Sequence, residues 1–249
     1  MAGSSTTHFG FTDIPFADKV GRVREVFDSV ADKYDLMNDL MSVGVHRLWK
    51  QYAIRRLRIN PGDRILDVAG GTGDLARLMH KRLDGEGDVT IYDINGSMLN
   101  RGREKLTDLG MVGGIEYVQG NAEELPFPDN SFHTVTIGFG IRNVTQIDVA
   151  IKEMVRVLRP GGQFLCLEFS KLAVPALQPI YDTYSFKILP EIGHYVTQDR
   201  DSYQYLVESI RRFPNQESFK TMLEDGGLHG VRYHNLSLGV AAIHFGRKV

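Results

Sequence analysis

The spacing of apolar residues changes near residue 60. Before it they recur at helical intervals: Val20, Val23, Val26, Phe27 and Val30, then Val45, Leu48, Trp49, Tyr52, Ala53 and Leu57. That predicts helices over residues 18–57. After the turn Asn60-Pro61-Gly62-Asp63, short apolar runs alternate with helical patterns. Strands are predicted at 64–68, 89–93, 115–119, 132–138 and 163–168, with helices at 73–83, 97–109 and 146–158. The last helix has one apolar face (Ile147, Ala150, Ile151, Met154, Val155, Leu158) and should stop at Arg159-Pro160-Gly161-Gly162. Apolar runs at 230–236 and 240–245 predict a closing hairpin at the sheet edge. The expected fold class is α/β: a Rossmann-like, doubly wound, mostly parallel sheet of seven strands.

Residues 175–225 break this rhythm with two or three helices rich in aromatics, among them Tyr181, Tyr184, Phe186, Tyr195, Tyr203, Tyr205, Phe213 and Phe219. Residues 18–57 and 175–212 are expected to form a helical cap over the strand C-termini, where ligands bind in open α/β sheets. Residues 1–17 are expected to be disordered, and 18–249 to be a single domain.

Charge and composition narrow the function. A formal net charge of -2 gives no global case for nucleic-acid binding. The single cysteine, Cys166, excludes an internal disulfide and a multi-cysteine zinc site, and its apolar neighbours make it a buried strand residue. No apolar run is long enough to span a membrane, and the N-terminus lacks the features of a secretory signal, so a cytoplasmic enzyme is expected. No strongly basic amphipathic helix stands out, so permanent membrane anchoring is not expected.

The candidate chemistry lies in Ile65-Leu66-Asp67-Val68-Ala69-Gly70-Gly71-Thr72-Gly73-Asp74 and, some twenty residues on, Asp93 at the end of the second strand. A strand entering a glycine turn that opens a helix, with an acid ending the next strand, holds a nucleoside cofactor. Gly71-Thr72-Gly73-Asp74-Leu75-Ala76 also satisfies the weak form of the NAD fingerprint, so a dehydrogenase competes. Asp67 tips the balance: a carboxylate ahead of the loop repels a pyrophosphate and favours the cationic end of S-adenosylmethionine. Asn121 and Ala122 follow the third strand, where an adenine edge would lie.

Leu125-Pro126-Phe127-Pro128-Asp129-Asn130-Ser131-Phe132 and Arg156-Val157-Leu158-Arg159-Pro160-Gly161-Gly162 resemble class I methyltransferases. Five stretches more closely resemble the ubiquinone/menaquinone biosynthesis C-methyltransferase family: Tyr34-Asp35-Leu36-Met37-Asn38-Asp39-Leu40-Met41-Ser42 with His46 and Trp49; Phe139-Gly140-Ile141-Arg142-Asn143-Val144; Arg156 to Gly162 through Glu168-Phe169-Ser170; Tyr184-Ser185-Phe186-Lys187-Ile188-Leu189-Pro190; and Tyr203-Gln204-Tyr205-Leu206-Val207-Glu208-Ser209-Ile210. The resemblance implies S-adenosylmethionine bound by Asp67, Gly70, Thr72, Asp93, Asn121, Ala122 and Gly138. It also implies methyl transfer to a ring carbon of a polyprenylated benzoquinol or demethylmenaquinol, with Arg142, Asn143 and Tyr34 as catalytic residues. An aromatic carbon becomes nucleophilic once a ring hydroxyl gives up its proton, so the site must favour a phenolate. Arginine stays protonated and is not the base itself.

Two departures from the family pattern stand out. Arg159 replaces a usual lysine, and Gly138 replaces an expected serine, leaving only backbone to meet the cofactor. His46 and Trp49 are read as packing residues of a capping helix. The aromatic segment from Tyr181 to Phe213 is a candidate bed for an isoprenoid tail. Such a substrate brings the enzyme to the inner face of a membrane or into a biosynthetic complex, and a homodimer is compatible with this. The competing functions are a small-molecule O- or N-methyltransferase, an NAD-dependent dehydrogenase and a non-catalytic scaffold.

Overall fold

The computed structural model describes residues 6–30, 39, 42, 44–174, 176, 178–188, 191 and 200–249. The chain begins with an antiparallel hairpin, β1 (Thr6–Phe9) and β2 (Thr12–Pro15). This corrects the expectation of disorder through residue 17. The hairpin is held by contacts far away in sequence: the Phe9 ring stacks on Tyr205 with centroids 4.1 Å apart, and the Phe11 N–H donates to Glu208 Oε2 across 2.9 Å. Helix α1 (Phe16–Val30) follows directly, and α2 (His46–Arg55) precedes the sheet.

The central sheet comprises β3 (Arg64–Val68), β4 (Asp88–Asp93), β5 (Ile115–Gln119), β6 (Phe132–Gly138), β7 (Leu158–Phe169), β8 (His229–Leu236) and β9 (Ala241–Arg247). Its order is β5-β4-β3-β6-β7-β9-β8, parallel throughout except for β9, which runs antiparallel to both neighbours. The seven-stranded, doubly wound expectation is met. The order reverses between β3 and β6, the crevice where open α/β sheets bind ligands.

Helices α3 (Asp74–Leu83), α4 (Gly96–Asp108) and α5 (Ile147–Val157) make the crossovers. Asn95 caps α4, its side chain accepting from the Met98 N–H across 3.0 Å. The central strands are almost wholly buried because helices cover both faces, so they carry continuous apolar runs. The predicted break at Arg159–Gly162 proves to be an irregularity inside one strand: pairing begins at Leu158 opposite Phe132 and resumes at Gln163 opposite Thr134. Cys166 is fully buried in β7, and burial pushes its thiol well above the usual range.

The expected cap divides. Helix α1 lies over the strand C-termini. Helix α2 runs beside α3 in the sheet's helical layer: Lys50 meets Asp74 at the start of α3, while Arg82 near its end donates to the carbonyls of Ile54 and Leu57. After β7 come α6 (Gln178–Thr183) with a π turn at Tyr184–Ile188, then α7 (Arg200–Arg212) and α8 (Gln216–Asp225). Helix α7 packs against α1 and against a 3-10 turn at Ile141–Asn143. Tyr203, Tyr205 and Phe213 are buried core residues, and Tyr195 lies outside the described residues.

Candidate active site

Two adjoining cavities open at the switch point. The first is lined by Val20, Val23, Arg24 and Phe27 of α1, by Gly71, Asp93, Asn95 and Met98, and by Asn121, Ala122, Asn143 and Val144. The smaller second one is lined by Lys50, Asp67, Gly70, Thr72, Asp74, Leu75 and Gly138. Ala69 and Phe139 border both. These two residues follow β3 and β6 and hold left-handed backbone, with φ of 50° and 56°. That conformation costs roughly 1–3 kcal/mol in each non-glycine residue and is characteristic of ligand sites. The backbones approach so closely that a Cβ on Gly140 would stand 2.4 Å from the Ala69 Cβ.

The sequence-predicted cofactor residues therefore come together, divided between two compartments. Asp93 ends β4 with Oδ2 accepting from the Gly71 N–H (2.9 Å) and Oδ1 from the Asn95 N–H (2.8 Å). Burial pushes its carboxyl up to about 6, against those backbone bonds. Asp67, in β3, is 1% exposed. Its Oδ1 accepts from the Thr136 hydroxyl across 2.6 Å, while Oδ2 is buried with no hydrogen-bond partner among the described residues. Burial raises the Asp67 carboxyl to about 7, the Thr136 bond opposing it. Gly70 stands where a Cβ would come within 3.0 Å of that Oδ2. The chain thus keeps an unsatisfied carboxylate oxygen clear beside the loop.

This arrangement fits a cationic, hydroxyl-bearing cofactor such as S-adenosylmethionine. It does not fit a dinucleotide. A pyrophosphate would need the N-terminus of α3, and there Asp74 sits paired with Lys50 (2.6 Å) and Lys105 (2.9 Å). Burial pushes the Asp74 carboxyl up, but the two lysine charges outweigh it and hold it well below the usual range.

Gly138 is accounted for by packing. A Cβ there would lie 2.6 Å from Leu75 Cδ1, so Leu75 occupies the space a serine would use. Thr72 is buried, and its backbone packs against Gly102. Asn121 and Ala122 line the first cavity, and the Tyr92 hydroxyl donates to the Asn121 carbonyl (3.0 Å) and holds that turn.

The predicted catalytic residues separate. Asn143 lines the first cavity, its Oδ1 accepting from the Tyr205 hydroxyl across 2.9 Å. Arg142 borders neither cavity. It is 4% exposed and its Nη1 binds Glu168 Oε1 at 2.7 Å and the Phe139 carbonyl at 2.5 Å, with Nε donating to Ser209. Burial raises the Glu168 carboxyl, and the Arg142 charge opposes that rise. Tyr34 lies outside the described residues, as does most of the stretch from Tyr34 to Ser42. His46 and Trp49 are buried packing residues; His46 also meets Asp39 at 2.9 Å.

Thr136 and Lys19 escaped the sequence reading, and Glu168 and Tyr205 entered it only as members of a family-like stretch and of the aromatic segment, with no role at the site. Lys19 had a signal, because it falls on the apolar face of α1 four residues before Val23. It is 1% exposed, and its Nζ donates to the Val144 carbonyl across 3.0 Å. Burial lowers its ammonium to about 8, the Glu123 charge opposing.

Sheet order, glycine turn and paired carboxyls define a class I, S-adenosylmethionine-dependent methyltransferase. Solved structures support that fold. A SAM-dependent methyltransferase of Thermotoga maritima gives a TM-score of 0.64 at 18% identity, covering 90% of this chain and 99% of that one. The structure of a complex between the Haloferax volcanii Trm112 methyltransferase activator and a methyltransferase gives 0.65 at 17% identity, covering 90% and 96%. The chain belongs to the ubiE/COQ5 methyltransferase family, whose profile matches residues 17–248. It is 55% identical over 246 residues to the ubiquinone/menaquinone biosynthesis C-methyltransferase UbiE of Xanthomonas campestris, covering 99% of this chain and 97% of that one. It is 54% identical to the protein of the same name from Francisella philomiragia, covering 98% of each.

Proposed function

We infer that the protein transfers a methyl group to a ring carbon of a polyprenyl benzoquinol or naphthoquinol in ubiquinone or menaquinone biosynthesis. Bound S-adenosylmethionine supplies an electrophilic methyl group. Asp93 would hold the ribose hydroxyls, Asn121 and Ala122 the adenine edge, and Asp67 the cationic end. The observation that carries the reading is the setting of Asn143. It shares the cavity wall with Asp93 and Asn121 and is flanked by Phe27, Phe139 and Val144. The wall is mixed, with Phe27 and Phe139 for a ring to lie against and Asn143, Glu123 and Thr145 as polar groups for its hydroxyls.

Within this proposal Asn143 positions the ring hydroxyl. Arg142 positions Asn143: its bonds to Glu168 and Phe139 hold the turn Ile141–Asn143 in place. Phe139 and α1 exclude water, which strengthens those interactions. Work at the cytoplasmic surface of a membrane belongs to the same proposal. Among the described residues, no helix is long and apolar enough to cross one.

The test is to incubate the purified protein with S-adenosylmethionine and a demethylated quinol, then locate the new methyl group by mass spectrometry and NMR. Carbon methylation is expected. A methyl group found on oxygen would favour the O-methyltransferase alternative instead.

A further inference from the structure

Helix α2 turns Trp49, Ala53 and Ile54 into the core and leaves Leu48, Tyr52 and Arg56 outside at four-residue spacing. The Arg56 guanidinium lies 4.7 Å from the Tyr52 ring centroid. At the end of this stripe a groove of about 370 Å³ runs between α2 and the β8–β9 hairpin. Its charged lining is Arg56, Arg232 and Arg247, joined by His229 and His234, with no acidic residue. All three arginines are exposed, and none forms an ion pair among the described residues. The chain as a whole carries a formal charge of -2, so this cationic surface is a local feature.

The other end of the stripe is apolar and lies at the C-terminal edge of the sheet. Trp49 Nε1 donates to Ser237 Oγ across 3.1 Å, which ties α2 to the turn that carries Leu238; Leu48 is 63% exposed and Leu238 59% exposed. Ser237 and Leu238 both hold left-handed backbone, φ 46° and 60°. The Leu238 carbonyl accepts from the Ala173 N–H at 2.8 Å, which keeps the turn in place. Strained backbone that presents a leucine to solvent costs energy twice, and such sites mark contact surfaces.

We propose that this face, from Leu48 and Leu238 to Arg56, Arg232 and Arg247, docks the protein on an anionic lipid bilayer. The proposal rests on the quinol reading, because a polyprenyl substrate resides in the bilayer. The arginines meet lipid phosphates, and Leu48, Tyr52 and Leu238 enter the boundary between headgroups and acyl chains. The docking face also adjoins the site. Trp49, behind Leu48, lies 6.4 Å from Phe139 and 6.2 Å from Phe169 between ring centroids, and Phe139 borders both cavities. No linear segment announced this surface. The cations of α2 divide, Lys50 being buried on Asp74 and Arg47 paired with Asp39, and the groove is completed by arginines from distant strands.

The test is sedimentation of the full chain with vesicles of phosphatidylcholine alone or mixed with phosphatidylglycerol, at rising salt. Wild-type protein is expected to bind the anionic vesicles and to release with salt. The variant R56Q/R232Q/R247Q should bind roughly a hundredfold more weakly, about fivefold for each cation removed. Arg232→Gln alone, on the edge strand, should lose about fivefold and serves if the triple variant does not fold. All variants should keep wild-type turnover of a short-tailed, water-soluble quinol. No sedimentation of wild-type protein with anionic vesicles overturns the proposal and leaves the face to an acidic protein surface; unchanged binding by the arginine variants also overturns it. Loss of soluble-quinol turnover in wild-type protein would instead strike the functional reading, since vesicle binding is measured without it.

Discussion

The Tyr205 hydroxyl and the Asn143 side chain meet at 2.9 Å across 62 positions of sequence, tying α7 to the wall of the cofactor cavity. The bond occupies Oδ1 and so orients the amide. Tyr205→Phe removes it and little else. We expect kcat to fall by about tenfold, the scale of one lost hydrogen bond, with the affinity for S-adenosylmethionine unchanged. Steady-state kinetics and calorimetry check this. Equal losses in both quantities would make Tyr205 a general support of the cavity.

Asp67 and Asp93 predict a pH dependence. Burial raises their carboxyls to about 7 and about 6, above the ordinary value of 3.8. Their neutral forms are thus favoured in the folded chain. Their contribution to stability without ligand is fully present below about pH 4 and is lost as pH rises through 6 to 7. A cofactor that donates hydroxyls and brings positive charge favours the ionised forms. Affinity for S-adenosylmethionine should therefore rise between pH 5 and 8, and binding should release protons. Calorimetry in two buffers of different ionisation enthalpy measures that release, and Asp93→Asn should diminish it. Binding without proton release would refute this coupling.

Arg142 and Glu168 form a buried pair, so single and double variants should differ. Arg142→Met leaves an unpaired carboxyl in the core and is expected to destabilise the protein by about 3–5 kcal/mol. R142M/E168M should be milder than the sum of its parts. Denaturant unfolding gives the stabilities. Activity lost in the double variant, with stability recovered, would assign the guanidinium a role in turnover beyond holding its turn.

Gly138→Ser restores the residue the family pattern suggests. Leu75 stands 2.6 Å from the new Cβ, so we expect a loss of about 1–3 kcal/mol from overpacking. Leu75→Val in the same chain should recover part of it. A serine accepted without loss would mean that Leu75 repacks freely.

The sequence carried the sheet well because its signals are local. The central strands at Arg64–Val68 and Asp88–Asp93 are apolar runs ending at turns, and the glycine loop with Asp93 names its own compartment. What escaped depends on contacts between distant segments. The β1–β2 hairpin reads as a polar tail until Phe9 meets Tyr205. Arg142 reads as exposed chemistry until Glu168, 26 residues on, takes its charge. Gly138 reads as a lost contact until Leu75 fills the space. Lys19 alone was legible in principle, as a cation out of place on an apolar helix face.

Cys166 has a practical consequence. It is the only cysteine in the chain, fully buried, with its thiol far from ionising. The surface is therefore free of native thiol reactivity. A cysteine placed at exposed Glu25 on α1 would take a fluorophore alone, with no native residue to remove first. Fluorescence from that position would follow the helix over the cofactor cavity through each turnover, in the otherwise unaltered enzyme.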